Sequence, residues 1–320
     1  MFKHDLDPKA LEKRMRAQLA ISLQYLFDEF KDQVRLDPKK SEMVITRLKQ
    51  GKVQPGVYAR YYDLVFALTN EETRKVTKLA NEIFELISEP VEFKIIPYAK
   101  KELGDDFERF PRLLFAEFSL DNPMSTPKAT LHKQHREKLE QALNVIQLVD
   151  NAIYQEIKAL LSCVVVSVHN SQLSTANAFG GVSSFMTWGA TFINAGAYRT
   201  EHQAVEFFVH EITHCMLFGH SCQDALVLNS IDESYRSPLR SQLRPVDGIY
   251  HATLVCARIA LFMQKWMKFG TDNSEHTQWL EARYESNKDS FLDGLSVLNE
   301  HAKLSKQGAL FLSQAKAALI

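Results

Sequence analysis

Three features of the chain predict an α+β protein that is mainly α-helical, with a small β-sheet packed beside a metal-binding helix. Apolar residues recur at three-and-four spacing through most of the 320 residues. Two runs in the middle of the chain break that pattern, one rich in β-branched residues and one bounded by glycines. Then comes His210-Glu211-Ile212-Thr213-His214, an HExxH sequence within helical periodicity, which sets two imidazoles one turn apart on one face.

Taken in order, the periodicity predicts helices over residues 9–30, 39–50, 58–68 and 71–87, punctuated by Asp37-Pro38 and Gln54-Pro55-Gly56. Residues 91–98 and 113–119 read as short strands. A long charged helix is expected over 127–161, with Leu139, Leu143, Ile146 and Ile153 on one side. From Cys163 to Val168 the run Cys-Val-Val-Val-Ser-Val has the character of a buried strand. Residues 183–194 form a second strand candidate, with Gly180-Gly181 before it and Gly196 after. Thr200 and Gln203 make a capping-box pattern ahead of the HExxH helix, and Gly219 supplies its stop. Val205, Phe208, Val209, Ile212 and Met216 give that helix an apolar stripe. A loop over 222–244 leads to Pro245, which opens a helix running to Gly270, and 277–319 is helical again. The chain thus divides into a helical region, 1–160, offering a docking surface for a peptide, and a metal-binding catalytic region, 161–320.

Composition narrows the partners. Hydrophobic residues make up 45% and charged residues 24%, as in ordinary soluble proteins. The 38 basic and 39 acidic residues nearly cancel, which gives no electrostatic case for nucleic acid or an anionic membrane. The N-terminus is charged and lacks an apolar signal core, and the longest apolar run, around 252–263, is broken by Arg258. Cys163, Cys215, Cys222 and Cys256 form no CxxC pair, which fits a reducing compartment and a cytoplasmic protein. A long apolar helix face left uncovered would favour a homodimer. No Gly-rich phosphate loop and no Gly-x-Ser-x-Gly elbow occurs, so nucleotide-dependent and serine chemistry have no support.

A catalytic metal site usually takes three protein ligands, and two residues compete to join His210 and His214. Glu233 lies 19 residues after His214, the spacing of the gluzincin metallopeptidases. In that reading Zn²⁺ binds His210, His214 and Glu233, and Glu211 is the general base. His251 is the other candidate. It lies in an apolar helix, where a buried imidazole needs a partner, either a metal or a backbone carbonyl.

The segment from Ser237 to His251, Ser-Pro-Leu-Arg-Ser-Gln-Leu-Arg-Pro-Val-Asp-Gly-Ile-Tyr-His, resembles the one that follows HExxH in the HExxH-domain proteins of peptide natural-product clusters. The shared elements are Ser-Pro-x-Arg, Arg-Pro and Gly-x-x-His. The resemblance covers about residues 188–260; Leu239 and Ser241-Gln242-Leu243 depart from it. Part of that family consists of Fe(II)- and 2-oxoglutarate-dependent peptide β-hydroxylases acting on ribosomally made precursor peptides. The resemblance implies His210, His214 and His251 as metal ligands and hydroxylation of a side-chain carbon, Cβ, in such a peptide. Such an oxygenase also needs a cation for the distal carboxylate of 2-oxoglutarate, for which a guanidinium is well shaped. Arg244, Arg240 and Arg258 are the candidates, in that order, with Arg236 close behind. Glu211 would then position a ligand histidine or the peptide amide rather than activate water. A third reading is a peptide-binding protein whose metal is structural.

Overall fold

The computed structural model describes residues 7–30, 37–115, 122–174, 179–237, 243–270 and 274–320. The fold is α+β and mainly helical, with a small mixed sheet. Two compact units divide the chain. One comprises Pro8–Glu140 with Lys158–Glu201, the other Gln141–Ile157 with His202–Ile320. This division differs from a cut near residue 160. Parallel pairing ties the strand after Ser162 to a strand of the N-terminal half, so the sheet falls in one unit and the HExxH helix in the other.

In the sheet-bearing unit, α1 (Pro8–Phe30), α2 (Pro38–Gln50), α3 (Pro55–Thr69) and α4 (Thr73–Leu86) lie where periodicity predicts them, and α1 packs on α2 and α3 on α4. Asp37 caps α2 by accepting from the Lys39 amide at 3.0 Å, with Pro38 in the first turn. The sheet consists of β1 (Lys94–Pro97), β2 (Met124–Ser125), β3 (Cys163–His169), β4 (Gly181–Ser183) and β5 (Ala190–Asn194), with the path β1-β3-β5-β4 and β2 beside β3. Central β3 is parallel to both β1 and β5, matching Ile96 to Val165 and Val165 to Phe192. Val164, Val165 and Val166 are fully buried, as a strand with neighbours on both edges requires. The single strand expected over 183–194 is instead the antiparallel pair β4–β5. Ser184 begins a 3-10 turn by accepting from the Met186 amide, and Gly189, at φ +92°, completes the reversal.

Two short helices, α5 (Lys100–Leu103) and α6 (Asp106–Leu114), follow β1. The strand expected over 113–119 is not formed at its start, since Leu113 and Leu114 end α6; residues 116–121 lie outside the described residues. Asp106 and Glu108 suit the first turn of a helix, and Phe110, Leu113 and Leu114 go into the core with Tyr98, Val165 and Phe192. Pro111 has no amide to give the Phe107 carbonyl, and the Tyr98 hydroxyl donates to that carbonyl at 2.7 Å instead. A charge network links α3, α4 and α6. Arg60 bonds Glu82 and Asp106 at 2.9 and 2.6 Å, and Arg109 bonds Asp63, Glu82 and Asp106, each at 2.9 Å.

The helix expected over 127–161 is two helices, α7 (Ala129–Val149) and α8 (Asn151–Leu160). Asp150 makes the break. Its carboxylate accepts from the Ala152 and Ile153 amides at 3.2 and 3.4 Å, as an N-cap does, and pairs with Lys265.

The histidine-bearing unit holds α9 (Glu201–Ser221), a hairpin of β6 (Ser234–Arg236) and β7 (Leu243–Pro245), then α10 (Val246–Phe269), α11 (Ser274–His301) and α12 (Lys306–Leu319). Helix α9 runs past Gly219 to Ser221, so Gly219 is not its stop. Among the described residues α10 alone is long and apolar enough to cross a membrane; 78% of that apolar window is buried inside the protein. Helix α11 packs closely along it at Gly294, where a Cβ would run into the Thr253 hydroxyl.

Candidate metal centre

Helix α9 turns its apolar stripe inward, with Val205, Phe208, Val209, Ile212 and Met216 fully buried. That fixes the rotation of the helix and carries His210 and His214 on a less buried side, their ring centroids 5.0 Å apart. Glu211 is 2% exposed, and its carboxylate comes within 3.9 Å of His210 Nε2.

Helix α10 supplies the third histidine. Pro245 ends β7 and stands at the N-cap of α10, where its lack of an amide hydrogen leaves no donor to satisfy. In its second turn, His251 points at α9. Its Nδ1 lies 3.2 Å from His214 Nδ1, and the two rings are nearly parallel, 5.5 Å between centroids at 18°. Phe218 stacks beside His214 at 6.1 Å and lies tilted against His251 at 5.3 Å. The other nitrogen of His251 faces the Asp247 carboxylate at 4.0 Å. His251 is 7% exposed, and burial holds its pKa below the ordinary imidazole value, so the ring is neutral at neutral pH.

Two nitrogens bound at about 2.1 Å to one ion stand about 3.0 Å apart at a right angle and about 3.4 Å apart at a tetrahedral angle. The 3.2 Å between His214 and His251 falls within that interval, and neutral imidazoles are the donors that Fe²⁺ and Zn²⁺ accept. Among the described residues no three His, Cys, Asp or Glu side chains are grouped as a complete metal site. His210, whose side chain is 40% exposed, is the ring that would have to turn towards the pair. The donor set therefore fits one ion in type and, for two of its three members, in spacing. A neutral N–H···N bond between the two rings accounts for the same distance when no ion is bound.

Glu233 is engaged elsewhere. Its carboxylate accepts from Asn229 Nδ2 at 2.9 Å, from the Ser230 amide at 3.1 Å and from Lys303 Nζ at 3.3 Å. These bonds hold its pKa below the usual carboxylate range. Asn229 also reaches the His301 carbonyl and the Lys303 amide, and Tyr235 stacks on His301 at 3.9 Å. Glu233 thus braces the hairpin against the α11–α12 junction, and among the described residues it forms no ligand group with His210 and His214.

The arginines separate as well. Arg258 is 2% exposed and committed to Glu156 of α8, at 2.5 and 3.3 Å, which corrects its candidacy for 2-oxoglutarate: its charge is already compensated. Arg244 is half-buried on β7, opposite Tyr235, with its side chain passing alongside Gly248 in the first turn of α10. Arg240 lies outside the described residues. His220 packs edge-on against Phe311, a structural role. Sequence reasoning missed Asp247 and Phe218. Asp247 carried a signal, a carboxylate four residues before His251 on the same helix.

No family model matches this sequence, and no curated protein matches it.

Proposed function

We propose that the protein is an Fe(II)- and 2-oxoglutarate-dependent oxygenase that hydroxylates a side-chain carbon, Cβ, of a ribosomally made peptide. The observation that carries the metal part is the 3.2 Å approach of His214 and His251 from two different helices. The peptide and the keto acid rest on the resemblance of residues 188–260 to the HExxH-domain proteins. Bound iron would supply oxidising chemistry with O₂ while the keto acid is converted to succinate and CO₂.

The chain's own residues would bind, orient and exclude water. His210, His214 and His251 are the ligands, and burial keeps His251 unprotonated and ready to donate its lone pair. Asp247, on the far side of the His251 ring, favours a proton on Nε2 and leaves Nδ1 facing His214. Glu211, buried against His210, restrains that ring as it turns. Phe218 covers the pair from one side and keeps water from the imidazoles. Arg244, beside the first turn of α10, is the cation offered to the distal carboxylate of the keto acid.

Anaerobic titration of Fe(II)-loaded protein with 2-oxoglutarate tests this. A visible metal-to-keto-acid charge-transfer band is expected in the parent. It should be lost in His251→Ala, and should need at least about tenfold more 2-oxoglutarate in Arg244→Gln. Protein that contains stoichiometric iron and develops no band would overturn the proposal.

A further inference from the structure

Four rings from three helices of the histidine-bearing unit meet at the start of α11. They are His202 of α9, Trp266 of α10, and His276 and Trp279 of α11. The two imidazoles are the closest pair, 3.9 Å apart between centroids and tilted by 39°. His202 lies 5.7 Å from Trp266 and 5.4 Å from Trp279, and His276 stands edge-on to Trp266 at 4.9 Å. Trp266 is 5% exposed, while both histidines are half-buried and within reach of solvent protons. None of the four rings belongs to the candidate metal centre.

The positions of the two histidines set how they can carry charge. His202 is the second residue of α9 and His276 the third of α11, so each sits in a first helical turn, where the helix dipole opposes a cation. One proton still has a host, because Trp266 and Trp279 both lie within the roughly 6 Å at which an aromatic face attracts a cation on His202. A second proton has none. It would set two like charges 3.9 Å apart in a half-buried place.

The neighbouring charges leave that conflict standing. On α9, Glu206 is one turn from His202 and is held by Arg283 of α11 through two hydrogen bonds, and Glu201 precedes His202 in sequence. On α10, helical spacing puts Phe262 and Met263 beside Trp266, while Lys265 pairs with Asp150 and Lys268 is exposed. On α11, Glu275 precedes His276 and is exposed. Burial pushes the pKa of His276 below the ordinary imidazole value, and the charge of His202 pushes it the same way.

We propose that His202 and His276 form an acid-released latch. With at most one proton between them they hold the first turns of α11 against α9 and α10, and the second proton drives them apart. The sign follows from linkage. A histidine whose pKa is depressed by folding contributes stability above the ordinary imidazole value, and that contribution is lost as the pH falls below it. Release loosens the start of α9, on which His210 follows His202 by about two turns. The latch is tested on metal-free protein, so it fails separately from the proposed oxygenase.

The test is amide hydrogen exchange on the full chain at pH 7 and pH 5, compared as protection factors. Protection of the amides of residues 278–284 is expected to fall at least about fivefold at pH 5, with residues 164–166 of β3 unchanged. His276→Phe and His202→Phe each keep a ring and lose the charge, and each should abolish the acid response. The imidazole C2 protons of the parent give a reading that needs no variant, a pair of resonances that both move in two coupled steps. Unchanged protection in the parent overturns the latch. So does an undiminished acid response in whichever variant folds, or independent single-step titration of all the imidazoles.

Discussion

His251 and Arg258 stand two turns apart on α10, both buried, and burial treats them oppositely. A histidine escapes the cost of a buried charge by staying neutral, which keeps a lone pair available to a metal. An arginine cannot, so Arg258 keeps its charge and Glu156 answers it. Removing one member of such a pair leaves the other buried and uncompensated. Arg258→Leu is expected to lose about 3–5 kcal/mol in urea unfolding, and Arg258→Leu/Glu156→Leu to recover most of it. Unchanged stability with lost 2-oxoglutarate binding in Arg258→Leu would return Arg258 to the cofactor site. For Glu233 the sign of the pH dependence follows from its depressed pKa. Its bonds to Asn229, Ser230 and Lys303 contribute in full at neutral pH and are lost as the pH falls through its own, lowered pKa. Hydrogen exchange at the Ser230 amide should therefore lose protection below the usual carboxylate range, and should be insensitive to acid in Glu233→Gln.

The helices of the N-terminal half follow from their sequence because each carries its apolar stripe and its proline or aspartate cap locally. The misread elements depended on partners distant in the chain. Residues 127–161 look like one amphipathic helix until Asp150 is seen capping α8 and pairing with Lys265, 115 residues away. Asp150→Ala should cost about 1 kcal/mol or more in chemical denaturation, with Lys265→Ala accounting for only part of it; equal losses would mean that the ion pair matters and the cap does not. Residues 113–119 have strand-like composition, yet Leu113 and Leu114 finish a helix whose other end is anchored by Asp106 and Arg109. The β6–β7 hairpin read as loop because each strand is only three residues long, too short for alternation to register.

Over the whole molecule, two compact units intermix in sequence, and that explains why a single cut near residue 160 was the natural reading and not the structure's. The change of texture at Ser162 is real, but it marks the entry of β3 between β1 and β5 rather than a domain boundary. The candidate site was legible for the opposite reason. HExxH offers two candidate ligands by spacing alone, and His251, within an apolar helical run, called for a partner. What spacing could not decide was whether Glu233 or His251 joins them, because both follow at plausible distances along the chain. That choice is carried by the approach of α10 to α9 and by the bonds that hold Glu233 to the α11–α12 junction. It is settled by anaerobic calorimetric titration of Fe²⁺ into the metal-free parent, His251→Ala and Glu233→Ala. One equivalent bound by the parent, at least about tenfold weaker binding in His251→Ala and parent-like binding in Glu233→Ala is the expected result. Retained affinity in His251→Ala with loss in Glu233→Ala would contradict the three-histidine centre and reinstate the HExxH-glutamate site.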